Sequence, residues 1–244
     1  MSDAVTSDAR NWLDKAAIDR SVGELRPDYR ALLIVAEGLR PGPSDATSEA
    51  RLAAAEATVR ERVRRAEAGD GAPVAEHPHL VAWREAFRAF GAKPQRTRPS
   101  ADALLRRADA GLPRVDRITD VYNAVSVAHV LPIGGEDLDR YAGPALLTRA
   151  DGTEEFDTTA AGEPVVEHPA PGEVIWRDDA GVTCRRWNWR QCTRTRLTLD
   201  TTRAVFILDA LGALDDRALT AAGDALCEGL TALAPDVALT TRLL

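Results

Sequence analysis

Residues 116–139 read DRITDVYNAVSVAHVLPIGGEDLD, and the change of texture inside them decides the fold class. Ile118, Val121, Tyr122, Val125 and His129 recur at i, i+3, i+4 and i+7 spacing, which predicts a helix over 118–129 with one apolar face. Pro132 ends that pattern, and Gly134-Gly135 reads as a loop. Upstream the longer segments have helical spacing; downstream they are short, β-branched or apolar, and separated by turns.

Working outward on the N-terminal side, Ser100 reads as the N-cap of a helix over 101–110, stopped by Gly111 and Pro113. His79–Phe90 reads as another, with Val81, Phe87 and Phe90 inward and Gly91 as its C-terminal cap. Residues 47–68 alternate Ala, Glu and Arg at helical spacing, with Thr47 or Ser48 opening the helix. YRALLIVAE, Tyr29–Glu37, is a short apolar run closed by Gly38 and Pro41-Gly42-Pro43, so it reads as a buried strand. Residues 1–25 are polar, with a short helical possibility around Trp12–Ile18.

On the C-terminal side, 145–149, 155–157, 173–177 and 182–187 read as strands joined by turns at Asp151-Gly152, Gly162, Pro171-Gly172 and Asp179-Ala180-Gly181. Helices are expected again at 203–211 and 217–233, and a closing strand at 237–243. Helices, a run of strands, then helices predict an α+β fold.

Composition bounds the function. Hydrophobic residues make up 45% of 244, enough to bury a sizeable core. The net charge of −7 argues against a surface coated with phosphate-binding groups, though it leaves room for local basic strips. Lys15 and Lys93 are the only lysines; arginines supply two strips, at 96, 98, 106, 107, 114 and 117, and at 185, 186, 190, 194, 196 and 203. Each strip is either a solvated face paired with nearby acids or an anion-binding surface.

Cys184, Cys192 and Cys227 lack disulfide or zinc-knuckle spacing, so reduced thiols are expected. There is no apolar signal core and no apolar run of about 18 residues, so the expected location is cytoplasmic, without membrane contact. The four histidines form no metal or triad set, and there is no P-loop or dinucleotide fingerprint. No metal or cofactor is expected.

Three motifs in order, YNAVS (122–126), LPIGGEDLD (131–139) and RRWNWRQC (185–192), resemble free-standing members of the B3/B4 editing-domain group of the phenylalanyl-tRNA synthetase β chain. A glycine before a strand at 143–149 and the acidic hairpin DGTEEFDT at 151–158 continue the likeness. The sequence departs from the synthetase domain at Gly134, where the family carries a histidine within the turn. It departs again at CRRWNWRQCTRT (184–195), which replaces a glycine-rich loop ahead of Thr198, Thr201 and Thr202.

The resemblance implies a mixed sheet packed with helices, with 76–244 as the B3/B4-like domain. Residues 1–75 would be an N-terminal extension packed on it or continuous with it. It implies a protein acting on the aminoacylated 3′ end of tRNA and not on DNA, as a trans-editing deacylase. A non-catalytic tRNA or amino-acid binding module, or a partner of a synthetase, is the alternative. Ligase activity is not expected, since no adenylate-forming domain is present. The amino acid, the tRNA and the oligomeric state are left open.

An aminoacyl ester is already activated, so positioning one water and stabilising the oxyanion suffices. Asn123, Asn188 and Glu136 are the candidate catalytic residues. Asn123 sits mid-helix, as a water or ribose contact, a satisfied core amide or an exposed residue. Ser126 lies one turn on, on the same face. Gly134 and Gly135 would let substrate approach the backbone. Glu136 and Asp137 are the nearest acids for an α-ammonium, with Asp137 also suited to capping the turn it opens. Strand alternation would send Trp187 and Trp189 to one side, for adenine stacking or core packing, and Asn188 with Arg186 to the other. Gln191 and Thr193 complete the binding set.

Overall fold

The computed structural model describes the backbone of residues 2–244 and side-chain surroundings from residue 8 onward. The chain opens with α1 (Ser2–Lys15), β1 (Ala17–Ile18), α2 (Arg20–Leu25) and β2 (Arg30–Glu37). Four helices follow: α3 (Ala46–Glu67), α4 (Pro78–Ala89), α5 (Ser100–Ala108) and α6 (Arg117–His129). Seven strands come next: β3 (Ile133–Asp137), β4 (Leu146–Arg149), β5 (Phe156–Ala160), β6 (Glu163–Glu167), β7 (Val174–Arg177), β8 (Val182–Arg185) and β9 (Arg190–Gln191). β10 (Arg203–Ala210), α7 (Asp216–Leu233) and β11 (Ala238–Leu243) close the fold.

The architecture is α+β. One sheet has the order β11-β2-β10-β3 and is antiparallel throughout. A second, mixed sheet has the order β1-β4-β7-β8-β9, with β1 parallel to β4 and the rest antiparallel. β5 and β6 form a separate hairpin.

β2 and β10 are buried on both faces, because alternate residues serve two different cores. Leu33, Val35, Val205 and Ile207 face a core shared with Leu13, Trp83, Phe87, Leu147, Trp176 and Trp187. Ile34, Ala36, Phe206 and Leu208 face Val121 and Val125 of α6 and Leu226 and Leu230 of α7. Each such fully buried Leu, Ile, Val or Phe side chain contributes about 1.5–3 kcal/mol relative to its exposed state. A third cluster, with Leu52, Leu80, Leu105 and Val127, joins α3 to α6.

This double burial corrects the expected helix at 203–211. RAVFILDA is a strand, and its unbroken apolar run reflects a sheet covered on both sides. Gly134-Gly135 is likewise no loop but the middle of β3, paired with Ile207 and Phe206. Two caps also differ. Asp45 caps α3, accepting from Thr47 N and Ser48 N, with Ser48 completing a capping box. Pro99, not Ser100, precedes α5, and Ser100 makes no cap. On α4 the inward face is His79, Leu80, Trp83, Ala86 and Phe87, while Val81 is exposed.

His79 ties these layers together. Its Nε2 accepts from Trp83 Nε1 (3.1 Å) and Leu211 N (3.1 Å), which leaves Nδ1–H to donate to Val130 O (2.8 Å). Burial holds its pKa down at about 4, so the ring is neutral, as that pattern needs. Among the described residues no helix is long and apolar enough to cross a membrane.

Candidate functional site

A cavity of about 260 Å³ lies where the two sheets meet α5 and α6. Sites for drug-sized ligands run about 300–1,000 Å³, so this cavity matches one small group rather than a dinucleotide. Tyr122 and Asn123 of α6 and Ser100 and Leu104 of α5 form one wall. Trp176, Trp187 and Trp189 line the cavity as well. Gly134 and Glu136 of β3, Ile207 and Asp209 of β10, Asn188 and Gln191 close the floor and sides.

Asp209 is the group that sequence reading missed. It stands near the end of β10, 2% exposed. Tyr29 Oη donates to its Oδ1 at 2.5 Å, and Asn188 Nδ2 donates to its Oδ2 at 3.3 Å. Burial raises its pKa to about 7; the Tyr29 and Asn188 hydrogen bonds oppose the rise and the nearby Glu136 charge adds to it. The signal was present as a lone aspartate seventh in the apolar run RAVFILDA. Read as a helix, that run gave the aspartate no reason to face a cavity.

Glu136 is the second acid of the floor, and its pKa is also raised by burial. Tyr141 Oη (2.7 Å) and Thr195 Oγ1 (3.0 Å) both donate to its Oε2. Two carboxylates whose pKa values burial raises line this aromatic cavity, and indole faces beside an ionisable carboxylate favour a cationic group.

The polar atoms around them are under-committed. Seven buried side-chain atoms among the described residues have no hydrogen-bond partner, and four of them, Ser100 Oγ, Trp176 Nε1, Trp187 Nε1 and Asn188 Oδ1, belong to residues lining this cavity. Trp176 Nε1 lies near Asp209 and Trp187 Nε1 near the Tyr29 hydroxyl, each lowering that neighbour's pKa without forming a bond of good geometry. Buried unpaired polar atoms cost about 1–3 kcal/mol each, so Ser100 Oγ and Asn188 Oδ1, which have no such neighbour, favour a polar occupant. The Asn123 side chain makes no hydrogen bond among the described residues, and Gln191 Nε2 donates to Gly135 O (2.9 Å).

The stretch 186–189 is a turn between β8 and β9, not the expected alternating strand. Arg186 and Trp187 both have left-handed backbones, at φ 47 and 67. Two such non-glycine residues cost on the order of 1–3 kcal/mol each. Packing offsets this. The Trp187 indole meets Tyr29, Trp83 and Phe90 at centroid distances of 4.9, 5.4 and 6.3 Å. Asn188 O accepts from Ser100 N at 3.2 Å, joining the turn to the start of α5.

Of the residues expected in the site, Asn123, Gly134, Glu136, Trp187, Asn188, Trp189 and Gln191 line the cavity. Five do not. Ser126 is fully buried and donates to Leu131 O (2.6 Å), holding the end of α6. Gly135 faces Phe206 and Leu197 across the sheet, as strand alternation requires. Asp137 caps the following turn at Asp139 N (3.0 Å) and accepts from Thr201 Oγ1 (2.6 Å). Thr193 is exposed on the far side of β9, its backbone bonded to Asp157 O. Arg186 points into a second cavity, with its guanidinium 4.3 Å from the centroid of Trp189. Among the described residues no group of three His, Cys, Asp or Glu side chains has metal-binding geometry.

Fold and cavity together define an α+β domain with a small aromatic and acidic pocket between two sheets. The family model described as B3/4 domain matches residues 82–218, and the chain belongs to that family. β2, the strand beside β10, precedes the matched span and yet completes its sheet. A solved structure similar to this chain is an N-terminal fragment of the phenylalanyl-tRNA synthetase β-subunit from Pyrococcus horikoshii, at 14% identity and a TM-score of 0.43. The similarity covers 93% of this chain and 49% of that one, so the chain spans about half the length of that fragment. No match was found among curated proteins.

Proposed function

We propose that this protein is a trans-acting aminoacyl-tRNA hydrolase that binds the aminoacyl group in the aromatic, acidic cavity and cleaves its ester to the terminal ribose. The observation that carries this reading is Asp209, a carboxylate of pKa about 7 in the same cavity as the unpartnered Asn188 Oδ1. Membership of the B3/4 family and the resemblance carried by 122–126, 131–139 and 185–192 support tRNA as the carrier of that ester.

In this reading Glu136 and the indole faces hold the α-ammonium. Asn123 and the second N–H of Gln191 donate to the ester carbonyl as it becomes an oxyanion. A general base is most effective with a pKa near the working pH, which Asp209 meets. Water, held by Asp209 and Asn188, attacks the carbonyl carbon and gives a proton to Asp209. The carbon–oxygen bond to the ribose then breaks, and the ribose oxygen takes that proton. The products are a free amino acid and a tRNA with its terminal hydroxyl restored.

The test is a screen of correctly and wrongly charged tRNAs against the purified protein, following loss of the ester over buffer alone. Rapid deacylation of a few pairs is expected, reduced at least a hundredfold in Asp209→Asn and Asn188→Ala, in line with the roughly 10²–10⁴-fold share of general-base catalysis. No acceleration with any pair by a folded protein would sink the hydrolase reading and leave a binding module in its place.

A further inference from the structure

The turn at 186–189 separates two cavities of opposite character. On one side Trp187, Asn188 and Trp189 face the acidic floor of Asp209 and Glu136. On the other, Arg186 lines a cavity of about 270 Å³ with Lys93, Arg96 and Thr97. Glu173 is the one acid on that second wall, and it is already engaged. Arg185 holds it with both Nε (2.8 Å) and Nη2 (2.9 Å), and Arg185 also reaches Glu167 (2.7 Å). Arg186 donates to Glu173 from its backbone N–H (3.2 Å), while its guanidinium stands 3.5 Å away. Lys93 and Arg96 are exposed and make no ion pair among the described residues. Three cations therefore face a cavity whose carboxylate is spoken for by a fourth.

The position of Arg186 is held rather than free. Arg186 and Trp187 share a left-handed backbone, yet only Trp187 enters the core; the Arg186 guanidinium rests over the Trp189 ring. Strain kept at a residue that the core does not use is a mark of a functional position. Burial depresses the Arg186 pKa and Glu173 only partly restores it, so a further anion would be welcome there. Guanidinium and ammonium side chains lining one small cavity suit phosphate oxygens. Arg186 and Asn188 are two residues apart, so at most about 7 Å of backbone separates the two sides.

We infer that the cavity bounded by Lys93, Arg96 and Arg186 is a phosphate subsite. It takes the 5′-phosphate of the terminal nucleoside whose acyl group lies across the turn in the acidic cavity. This rests on the reading of the acidic cavity as an aminoacyl-ester site and adds the group that anchors the nucleotide. Opposite charges on the two sides of one turn match a ligand with an ammonium at one end and a phosphate at the other.

The test is equilibrium binding of adenosine 5′-monophosphate, adenosine and inorganic phosphate to the full chain by calorimetry. The monophosphate should bind at least tenfold more tightly than adenosine and than inorganic phosphate. That preference should be lost in the double variant Lys93→Ala, Arg96→Ala and in Arg186→Asn. Asparagine is chosen because it tolerates a left-handed backbone while removing the cation, and circular dichroism would check the fold. Ser126→Ala, whose hydroxyl is buried against Leu131 O and lines neither cavity, should leave monophosphate affinity unchanged. Equal affinity for monophosphate and adenosine, or unchanged affinity in both cation variants, would overturn the subsite. Inorganic phosphate binding as tightly as the monophosphate would also overturn it, by making this a free-anion site. A phosphate preference that depends on these cations in a protein that deacylates nothing would keep the subsite and remove the hydrolase reading.

Discussion

Tyr29 and Asp209 lie 180 residues apart in sequence, and the phenol of one donates to the carboxylate of the other at 2.5 Å inside the core. The contact exists because β2 and β10 pair antiparallel, with Ala31 opposite Asp209, which brings the residue just ahead of β2 over the end of β10. It fixes the carboxylate of the candidate site and opposes the upward pull of burial on its pKa.

Removing that donor has a defined sign. Tyr29→Phe keeps the ring packed on Trp187 and deletes the bond that favours the ionised form, so the Asp209 pKa should rise above about 7. Carboxyl carbon NMR titration would detect the rise without relying on activity. If the protein hydrolyses esters, the acid limb of kcat/KM should move up by the same amount. An unmoved titration would mean the phenol does not govern this carboxylate.

Asp209→Asn should stabilise the protein at alkaline pH, alongside the hundredfold or greater loss of ester hydrolysis expected of the proposed base. The folded-state pKa of about 7 lies above the ordinary 3.8. Below 3.8 both folded and unfolded states hold the proton, and there is no difference. Between 3.8 and about 7 the folded state retains a proton that the unfolded state releases, so stability falls as pH rises, and the loss is complete above about 7. The full difference is at most about 4 kcal/mol. Asparagine avoids it: its carbonyl still accepts from Tyr29, and a flipped Asn188 amide can accept from its NH₂ through the otherwise unpartnered Oδ1. Thermal melts at pH 8 and pH 5 should show a higher Tm for the variant at pH 8 and a smaller difference at pH 5.

Gly134 and Gly135 are adjacent but should fail differently. A Cβ on Gly134 would stand 3.1 Å from Gln191 Nε2, inside the cavity. Gly134→Ala should raise KM several-fold with a stability change within about 1 kcal/mol. A Cβ on Gly135 would stand 2.8 Å from Phe206 Cε1 and 3.0 Å from Leu197 Cδ1. Gly135→Ala should lose about 1–3 kcal/mol by overpacking. Denaturant unfolding beside ligand titration would separate the two effects.

Ser126→Ala should lower stability and leave ligand affinity unchanged. The hydroxyl holds Leu131 O at 2.6 Å and does not line the cavity. Leaving that carbonyl short of its donor should cost about 1–3 kcal/mol. A large loss of ligand affinity at normal stability would contradict this assignment.

Local pattern and tertiary pairing carried different parts of the site. Asn123, on a helix legible from its own periodicity, and Glu136, Asn188 and Gln191, in motif segments, were identifiable as polar residues in unusual settings. Asp209 and Tyr29 were not, because their meeting depends on a strand register that nothing within a few residues of either one specifies. Ser126 shared a helical face with Asn123 on spacing alone, yet the αL residue Val130 turns the chain so that Leu131 O takes its hydroxyl.

By itself the sequence determined the class of the fold, α+β, the periodic helices α3 to α7, most of the short strands and the family resemblance. Those properties are written in side-chain periodicity, turn residues and motif order, all of them local. Only the tertiary structure decided that RAVFILDA is a strand, that Arg186 and Trp187 lie in a left-handed turn, and that two acids share one aromatic cavity. An unbroken apolar run satisfies a buried helix and a doubly covered strand equally well. Only long-range hydrogen bonding and burial, which stabilise the sheet as a whole, separate the two.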